Sequence, residues 1–226
     1  MGAGELALEL SGYRRERGLL WPDYDKRCAE VTFDEMAELV PSVMLHVKGN
    51  RLAVQAGGNC GQMPRMLAER FGTVYTFEPD HRNFVALTVN TAELPNVFRY
   101  QAALGRSDTD LRGLGDGDGR YPGSNCGALY MDGKAFGWIP TLTVDGLNLP
   151  GCDLLALDIE GGEAQAILGA SWTIQRYRPV VVIEDKGLGK RLYGEEAGSA
   201  RALLEGVHGY REVAKIRNDF VMVHAG

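Results

Sequence analysis

The chain has 226 residues, 45% of them apolar and 24% charged, with a formal net charge of −6. That length and composition hold one large domain or two small ones with a sizeable core, which excludes a mostly disordered protein. The acidic balance and the lack of a long basic tract argue against a protein that mainly grips nucleic acid. No run approaches the length of a membrane span. The N-terminus, MGAGELALELSGYRRERG, lacks an apolar signal core and carries Leu6 where a myristoylation site wants Ser or Thr, so a cytoplasmic protein is expected.

Residues 1–30 are mixed and polar, broken at Trp21-Pro22, and read as an extension with some helix. TFDEMAELV then reads as a short helix capped by Thr32, with Glu35 completing a capping box and Pro41 ending it. VMLHVKG and RLAVQA read as two strands joined by a Gly49-Asn50 turn. The expected division is therefore a partly helical extension over 1–45 and a main domain over 46–226.

In that main domain QMPRMLAERFG places Met63, Met66, Leu67 and Phe71 on a helical stripe ended by Gly72. TVYTFE is a strand, HRNFVALTVNTAEL a helix ended by Pro95, and NVFRYQAAL a third strand. Residues 105–137 are glycine-rich and poor in apolar side chains, which predicts a long inserted loop with one hairpin. Order returns with IPTLTVDGL, followed by strand CDLLALDIEGG, helix EAQAILGAS, strand PVVVIED and a loop bearing glycine and lysine. Helix SARALLEGV and the strands YREVAKIR and DFVMVHA, meeting at Arg217-Asn218-Asp219, close the chain. Short apolar strands alternating with helices predict an α/β fold, a doubly wound and mostly parallel sheet, with an antiparallel C-terminal hairpin.

In such a sheet ligands bind at the carboxyl ends of the strands where the strand order reverses. The strand LAVQA runs into Gly57, Gly58, Asn59 and Gly61, where the backbone can turn tightly and approach a ligand. Glu78 ends the next strand, 21 residues after Gly57. A carboxylate there can accept hydrogen bonds from both hydroxyls of a ribose. The dinucleotide fingerprint fails, because Asn59 and Gln62 stand where its second and third glycines belong, and no phosphate-binding G-x-x-x-x-G-K-[ST] loop occurs. A glycine turn with a ribose acid and no pyrophosphate signal fits S-adenosylmethionine better than NAD.

AVQAGGNCG, VYTFEPD, LLALDIEGGEAQAILGA and RPVVVIE together resemble the FkbM-type family of S-adenosylmethionine-dependent methyltransferases, over residues 50–185. The D-x-E-G-x-E stretch is the most specific part of the likeness. The resemblance implies a Rossmann-like class I methyltransferase fold. It further implies cofactor contacts from Gln55, Gly57, Gly58, Asn59, Gly61, Glu78, Pro79, Ala103 and Asp158, and O-methylation of a hydroxyl on a small molecule or glycan. The chain departs from the family pattern at Gln55, usually aspartate, and at Ala156, usually lysine. Gln55 can hydrogen-bond the cofactor but brings no charge to its ammonium.

Asp158, Glu160 and Glu184 are expected near the same rim as the cofactor. Methyl transfer to a hydroxyl is an in-line displacement that needs alignment and removal of a proton. Asp158 or Glu160 is the expected base or orienter, with Glu184 a second acceptor, whereas Glu163 reads as a carboxylate favouring a helix N-terminus. Gathered carboxylates are also the donors of a hard divalent cation, and spacing does not decide for or against one. Asp108, Asp110, Asp116 and Asp118 do not follow calcium-loop spacing and read as turn residues. Cys28, Cys60, Cys126 and Cys152 are scattered without paired spacing and read as reduced, mostly buried thiols. His81 reads as a helix start, Trp138 as a pocket or loop anchor, and Lys186, Lys190 and Arg191 beside Tyr193 as either a solvated loop or contacts for an acidic substrate. Two alternatives stand beside the enzyme: a binding module that has lost turnover, best supported by Gln55 and Ala156, and a nucleic acid methyltransferase, opposed by DIEG where an [N/D]-P-P-[Y/F] motif would stand. The sequence names neither the methyl acceptor nor the oligomeric state.

Overall fold

The computed structural model describes residues 11–108, 111–116, 126–127, 129–132 and 138–226, with backbone alone at 111–116, 129–130, 132 and 191–192. The chain opens with the antiparallel strands β1 (Tyr13–Glu16) and β2 (Leu19–Pro22), then helix α1 (Cys28–Met44). Next come β3 (Leu52–Ala56), α2 (Gln62–Ala68), β4 (Thr73–Phe77), α3 (His81–Asn90) and β5 (Val97–Tyr100). A second small sheet follows in β6 (Ala103–Leu104), β7 (Leu111–Asp116), β8 (Leu129–Asp132) and β9 (Ile139–Leu142). The chain then runs through β10 (Leu154–Leu157), α4 (Glu163–Leu168), α5 (Ser171–Tyr177), β11 (Val180–Glu184), α6 (Leu188–Tyr193), α7 (Ser199–Gly206), β12 (Tyr210–Ile216) and β13 (Asp219–His224).

Seven strands form the main sheet among the described residues, in the order β12-β13-β11-β10-β3-β4-β5. The pairs β4–β5, β3–β4, β3–β10 and β10–β11 are parallel, and β13 is antiparallel to both β11 and β12. This is the order of a class I methyltransferase-like fold, with the last strand inserted antiparallel. The chain leaves β3 toward one edge and returns through β10 toward the other, so the switch point lies between β3 and β10.

Alternation along each strand splits the apolar residues between two faces. Val54, Leu155, Val181 and Ile183 join Ile167, Ile174 and Leu204 from α4, α5 and α7 on one face. Ala53, Leu154, Val180 and Val182 join Leu39, Val40 and Val43 of α1 and Leu67 of α2 on the other. That second layer corrects two sequence expectations. The expected strand VMLHVKG does not form: α1 continues through Val43 to Met44, and Leu45 is left exposed. Pro41 lies inside the helix instead of ending it. An interior proline costs about 3 kcal/mol, but burying Met36, Leu39, Val40 and Val43 stabilises by about 1.5–3 kcal/mol per side chain, so packing wins.

Nor does Thr32 cap α1. It lies within the helix and donates back to the Cys28 carbonyl at 2.7 Å, while Asp25 accepts from the Cys28 and Ala29 amides at 3.1 and 3.0 Å. Among the described residues before α1, Tyr13–Pro22 form a hairpin. Its Leu19, Leu20 and Trp21 are buried, and Asn90 of α3 clasps Leu20, accepting from its amide at 2.7 Å and donating to its carbonyl at 2.8 Å. The expected third strand NVFRYQAAL is divided: β5 ends at Tyr100, and Ala103–Leu104 leaves for the second sheet to pair with β9. Helices α5 and α6 were not foreseen. Much of the expected insertion, with Asp110 and Asp118 in it, lies outside the described residues; within it β7 and β8 pair antiparallel.

Candidate active site

A cavity of about 540 Å³ opens at the carboxyl ends of β3, β4, β10 and β11. The turn after β3 builds its floor. Gly57 and Gly58 donate to the Phe77 carbonyl at 3.0 and 2.9 Å, which folds the turn over the end of β4. Gly57 has φ of +83°, and a Cβ there would lie 1.8 Å from the Asp158 carbonyl oxygen. The loops that follow β3 and β10 therefore touch backbone to backbone, and only glycine fits between them.

Glu78 is 4% exposed and lines this cavity. One carboxylate oxygen accepts from the Asn59 amide at 2.6 Å and the other from the Asp80 amide at 2.8 Å. Burial raises its pKa from 4.5 to about 8 against the lowering effect of these two bonds. Gln55 is buried beneath the turn, with its amide nitrogen on the carbonyls of Ala56 and Gly57 at 3.1 and 2.9 Å and its oxygen accepting from Thr76 at 2.6 Å. That side chain braces the glycine turn, and Gln55 also lines the cavity. Asn59, Pro79, Ala103 and Asp158 all line the cavity with Gly57 and Gly58, whereas Gly61 stands behind them as the N-cap of α2.

Asp158, Glu160 and Glu184 meet on one side of the same cavity, each with a carboxylate oxygen within 4.8 Å of the others. Glu160 holds φ of +52°, a left-handed conformation unusual for a side-chain-bearing residue. Lys186 supplies the balancing charge, with Nζ 2.7 Å from Glu184 and 3.4 Å from Glu160. Burial lifts Glu160 to about 7, opposed by Lys186 and aided by Asp158. Burial and the neighbouring Asp158 raise Glu184 as well. Glu160 and Glu184 therefore hold their protons to higher pH than free carboxylates do. Glu163 faces inward: it accepts from the amides of Ile159 and Gly161 at 3.0 and 3.2 Å and shapes the turn that presents Glu160.

A family model for the methyltransferase FkbM domain matches residues 62–212. The chain belongs to the FkbM methyltransferase family. Comparison with curated proteins gives no match. Among solved structures, the methyltransferase FkbM of Methylobacillus flagellatus KT is 16% identical with a TM-score of 0.49, covering 77% of this chain and 43% of its own. The N-methyltransferase NodS of Bradyrhizobium japonicum WM9 is 9% identical with a TM-score of 0.49, covering 85% of this chain and 93% of its own. A precorrin-6y C5,15-methyltransferase of Geobacter metallireducens GS-15 is 11% identical with a TM-score of 0.48, covering 91% and 93%. The chain thus spans less than half of the FkbM structure it matches, and these distant likenesses add no argument to the family assignment.

The FkbM-family cavity also holds residues that sequence reasoning passed over. Trp21, Arg27, Val31, Thr32, Glu35 and Met36 bring the hairpin and α1 to its wall. Gln62 and Asn83 line it too, and the side-chain oxygen of each is buried without a hydrogen-bond partner among the described residues. No local pattern marks either, because their placement depends on where the tertiary fold brings the starts of α2 and α3. Trp138 is 73% exposed and is not among the lining residues, nor are His81 and Lys190, both exposed. The Arg191 side chain lies outside the described residues. Tyr193 lines the cavity and accepts from the Met131 amide at 3.2 Å. Among the described residues no helix is long and apolar enough to cross a membrane.

Proposed function

We propose that this FkbM-family chain binds S-adenosylmethionine in the half-site of Gly57, Gly58, Asn59, Glu78 and Pro79, and directs its methyl group to a hydroxyl on a small molecule or glycan. The observation that carries this reading is the buried Glu78 carboxylate facing the cavity beside a turn where a side chain on Gly57 has no room. The donor set fits the ligand. Glu78 suits a ribose diol, and the unpartnered oxygens of Gln62 and Asn83 suit an amino group such as that of adenine. When bound, S-adenosylmethionine supplies an electrophilic methyl on a sulfonium.

The chain's own part is to bind, align and manage a proton. Asp158 and Glu160 reach the cavity beside the cofactor half-site, and α1 with the hairpin forms a wall for the acceptor. With its pKa about 7, Glu160 is matched to taking a hydroxyl proton at neutral pH. Glu184 and Lys186 hold that carboxylate in place and balance its charge. The expected result for Asp158→Asn and Glu160→Gln is a fall in kcat of about 100-fold or more with cofactor affinity little changed. It is read by screening hydroxyl-bearing acceptors for S-adenosylhomocysteine release. Undiminished turnover in both variants would remove the two acids from the chemistry. Absence of S-adenosylmethionine binding in calorimetry would remove the whole reading.

Binding should also be pH-linked. In the free chain Glu78 stays protonated up to about 8, whereas ribose hydroxyls donate to its ionised form. Affinity should therefore rise with pH until about 8 and level off above it. The sign for stability is opposite. The pKa of Glu78 is raised on folding, so its contribution is full below 4.5 and declines as pH climbs through about 8. Calorimetry in buffers of different ionisation enthalpy should detect proton release on binding at neutral pH; affinity independent of pH would contradict the Glu78 assignment.

A further inference from the structure

Three of the four cysteines converge on one place in the cavity wall. Cys28 comes from the first turn of α1, Cys60 from the glycine turn and Cys126 from the segment between β7 and β8. All three line the cavity, and none is in a disulfide. The sulfurs of Cys28 and Cys126 and a carboxylate oxygen of Asp25 lie within 4.8 Å of one another. Cys60 shares a hydrogen bond with Cys126 and stands beside the group as a further sulfur donor. The acid cluster of Asp158, Glu160 and Glu184 contributes nothing here.

We propose that Asp25, Cys28 and Cys126, with Cys60 in reserve for a fourth position, form a binding site for a thiophilic divalent cation, zinc being the natural occupant. Two thiolates and a carboxylate are the donor types that zinc takes in tetrahedral sites, and this set is too soft for magnesium or calcium. The surroundings already orient the ligands. Asn59 donates from its side-chain nitrogen to the Cys28 sulfur at 3.3 Å and accepts from the Cys126 thiol at 3.5 Å. The Thr32 hydroxyl lies 3.2 Å from the Cys28 sulfur. Asp25, fully buried, accepts from the amides of Cys28, Ala29 and Cys126 at 3.1, 3.0 and 3.3 Å, with Arg14 at 3.6 Å. A carboxylate offers about four lone-pair directions; the amides take three, and a cation would take the fourth, which Arg14 approaches only to 3.6 Å. Such outer contacts are what holds ligands in place at metal sites.

Binding a cation sends the thiol protons of Cys28 and Cys126 to solvent. The ion has a route in, because Cys28, Cys60 and Cys126 line the cavity. Once bound, it ties α1, the glycine turn and the β7–β8 segment together around the half-site, since Asn59 touches both sulfurs and also donates its amide to Glu78.

The test is metal loading of the whole reduced chain, with elemental analysis after removal of free metal. Wild type and Cys152→Ser, whose thiol is buried elsewhere, should each retain about one zinc per chain. Cys28→Ser and Cys126→Ser should each lose affinity at least about a hundredfold, the usual consequence of deleting a ligand or its support. Cobalt added to the wild-type chain should give the thiolate charge-transfer and ligand-field bands of a tetrahedral sulfur site, a readout that does not depend on the variants folding. Negligible zinc on the reduced wild type, zinc retained in the Cys28→Ser/Cys126→Ser double variant, or a cobalt spectrum without a thiolate band would each overturn the site.

Discussion

Glu78→Gln is expected to weaken S-adenosylmethionine binding by about 100-fold, the loss of roughly 3 kcal/mol as two charge-assisted hydrogen bonds become neutral ones or disappear. The same change places an amide N–H against one of the two backbone amides that Glu78 now accepts from, Asn59 or Asp80. That mismatch costs about 1–3 kcal/mol of fold stability. Titration calorimetry and thermal unfolding without cofactor should be run on the same preparation. A large affinity loss beside a small drop in Tm assigns the carboxylate to the ribose. Unchanged affinity would show that the nucleoside is held elsewhere, whatever happens to Tm.

The second large effect is on the fold itself. Gly57→Ala puts a methyl 1.8 Å from the Asp158 carbonyl oxygen at a φ of +83°. The left-handed conformation costs about 1–2 kcal/mol and the overlap about 1–3 kcal/mol, near 4 kcal/mol together. For a chain of this size that lowers Tm by about 12 °C. Gly187→Ala is the control. Its φ is +73°, but an added Cβ meets nothing within 4 Å, so only the conformational part of about 1 kcal/mol is expected. Equal Tm losses in the two variants would mean that the crossing of the loops after β3 and β10 is not as tight as described. The first variant should also lose cofactor binding, because relieving the overlap moves Asp158 away from the turn.

Much of the fold was legible because the strands β3, β4, β10 and β11 are short apolar runs bounded by glycine, proline or acid, and β12 and β13 meet at a tight corner. The failures share a cause. VMLHVKG alternates well enough to read as a strand, yet Val43 completes a helical stripe whose burial against the sheet outweighs both that alternation and Pro41. LLWP looked like a break in a polar extension, yet Trp21 is buried because Asn90, 70 residues away from Leu20, clasps the strand. That Gln55 braces the neighbouring turn while lining the cavity was likewise not legible along the chain.

The order of strand, glycine turn, helix and acid was determined by the sequence alone, and with it the family and the rim where the site lies, because period, turn chemistry and short spacing are local properties of a chain. Only the tertiary structure decided that Lys186 balances Glu160 and Glu184, that Gln62 and Asn83 line the cavity, and that Cys28, Cys60 and Cys126 meet around Asn59. Those meetings join distant segments: Asn59 and Cys126 are 67 residues apart, and Asp25 and Cys126 are 101 apart. Which distant side chains share a volume is settled by how helices pack on a sheet, and spacing along the chain carries no record of it.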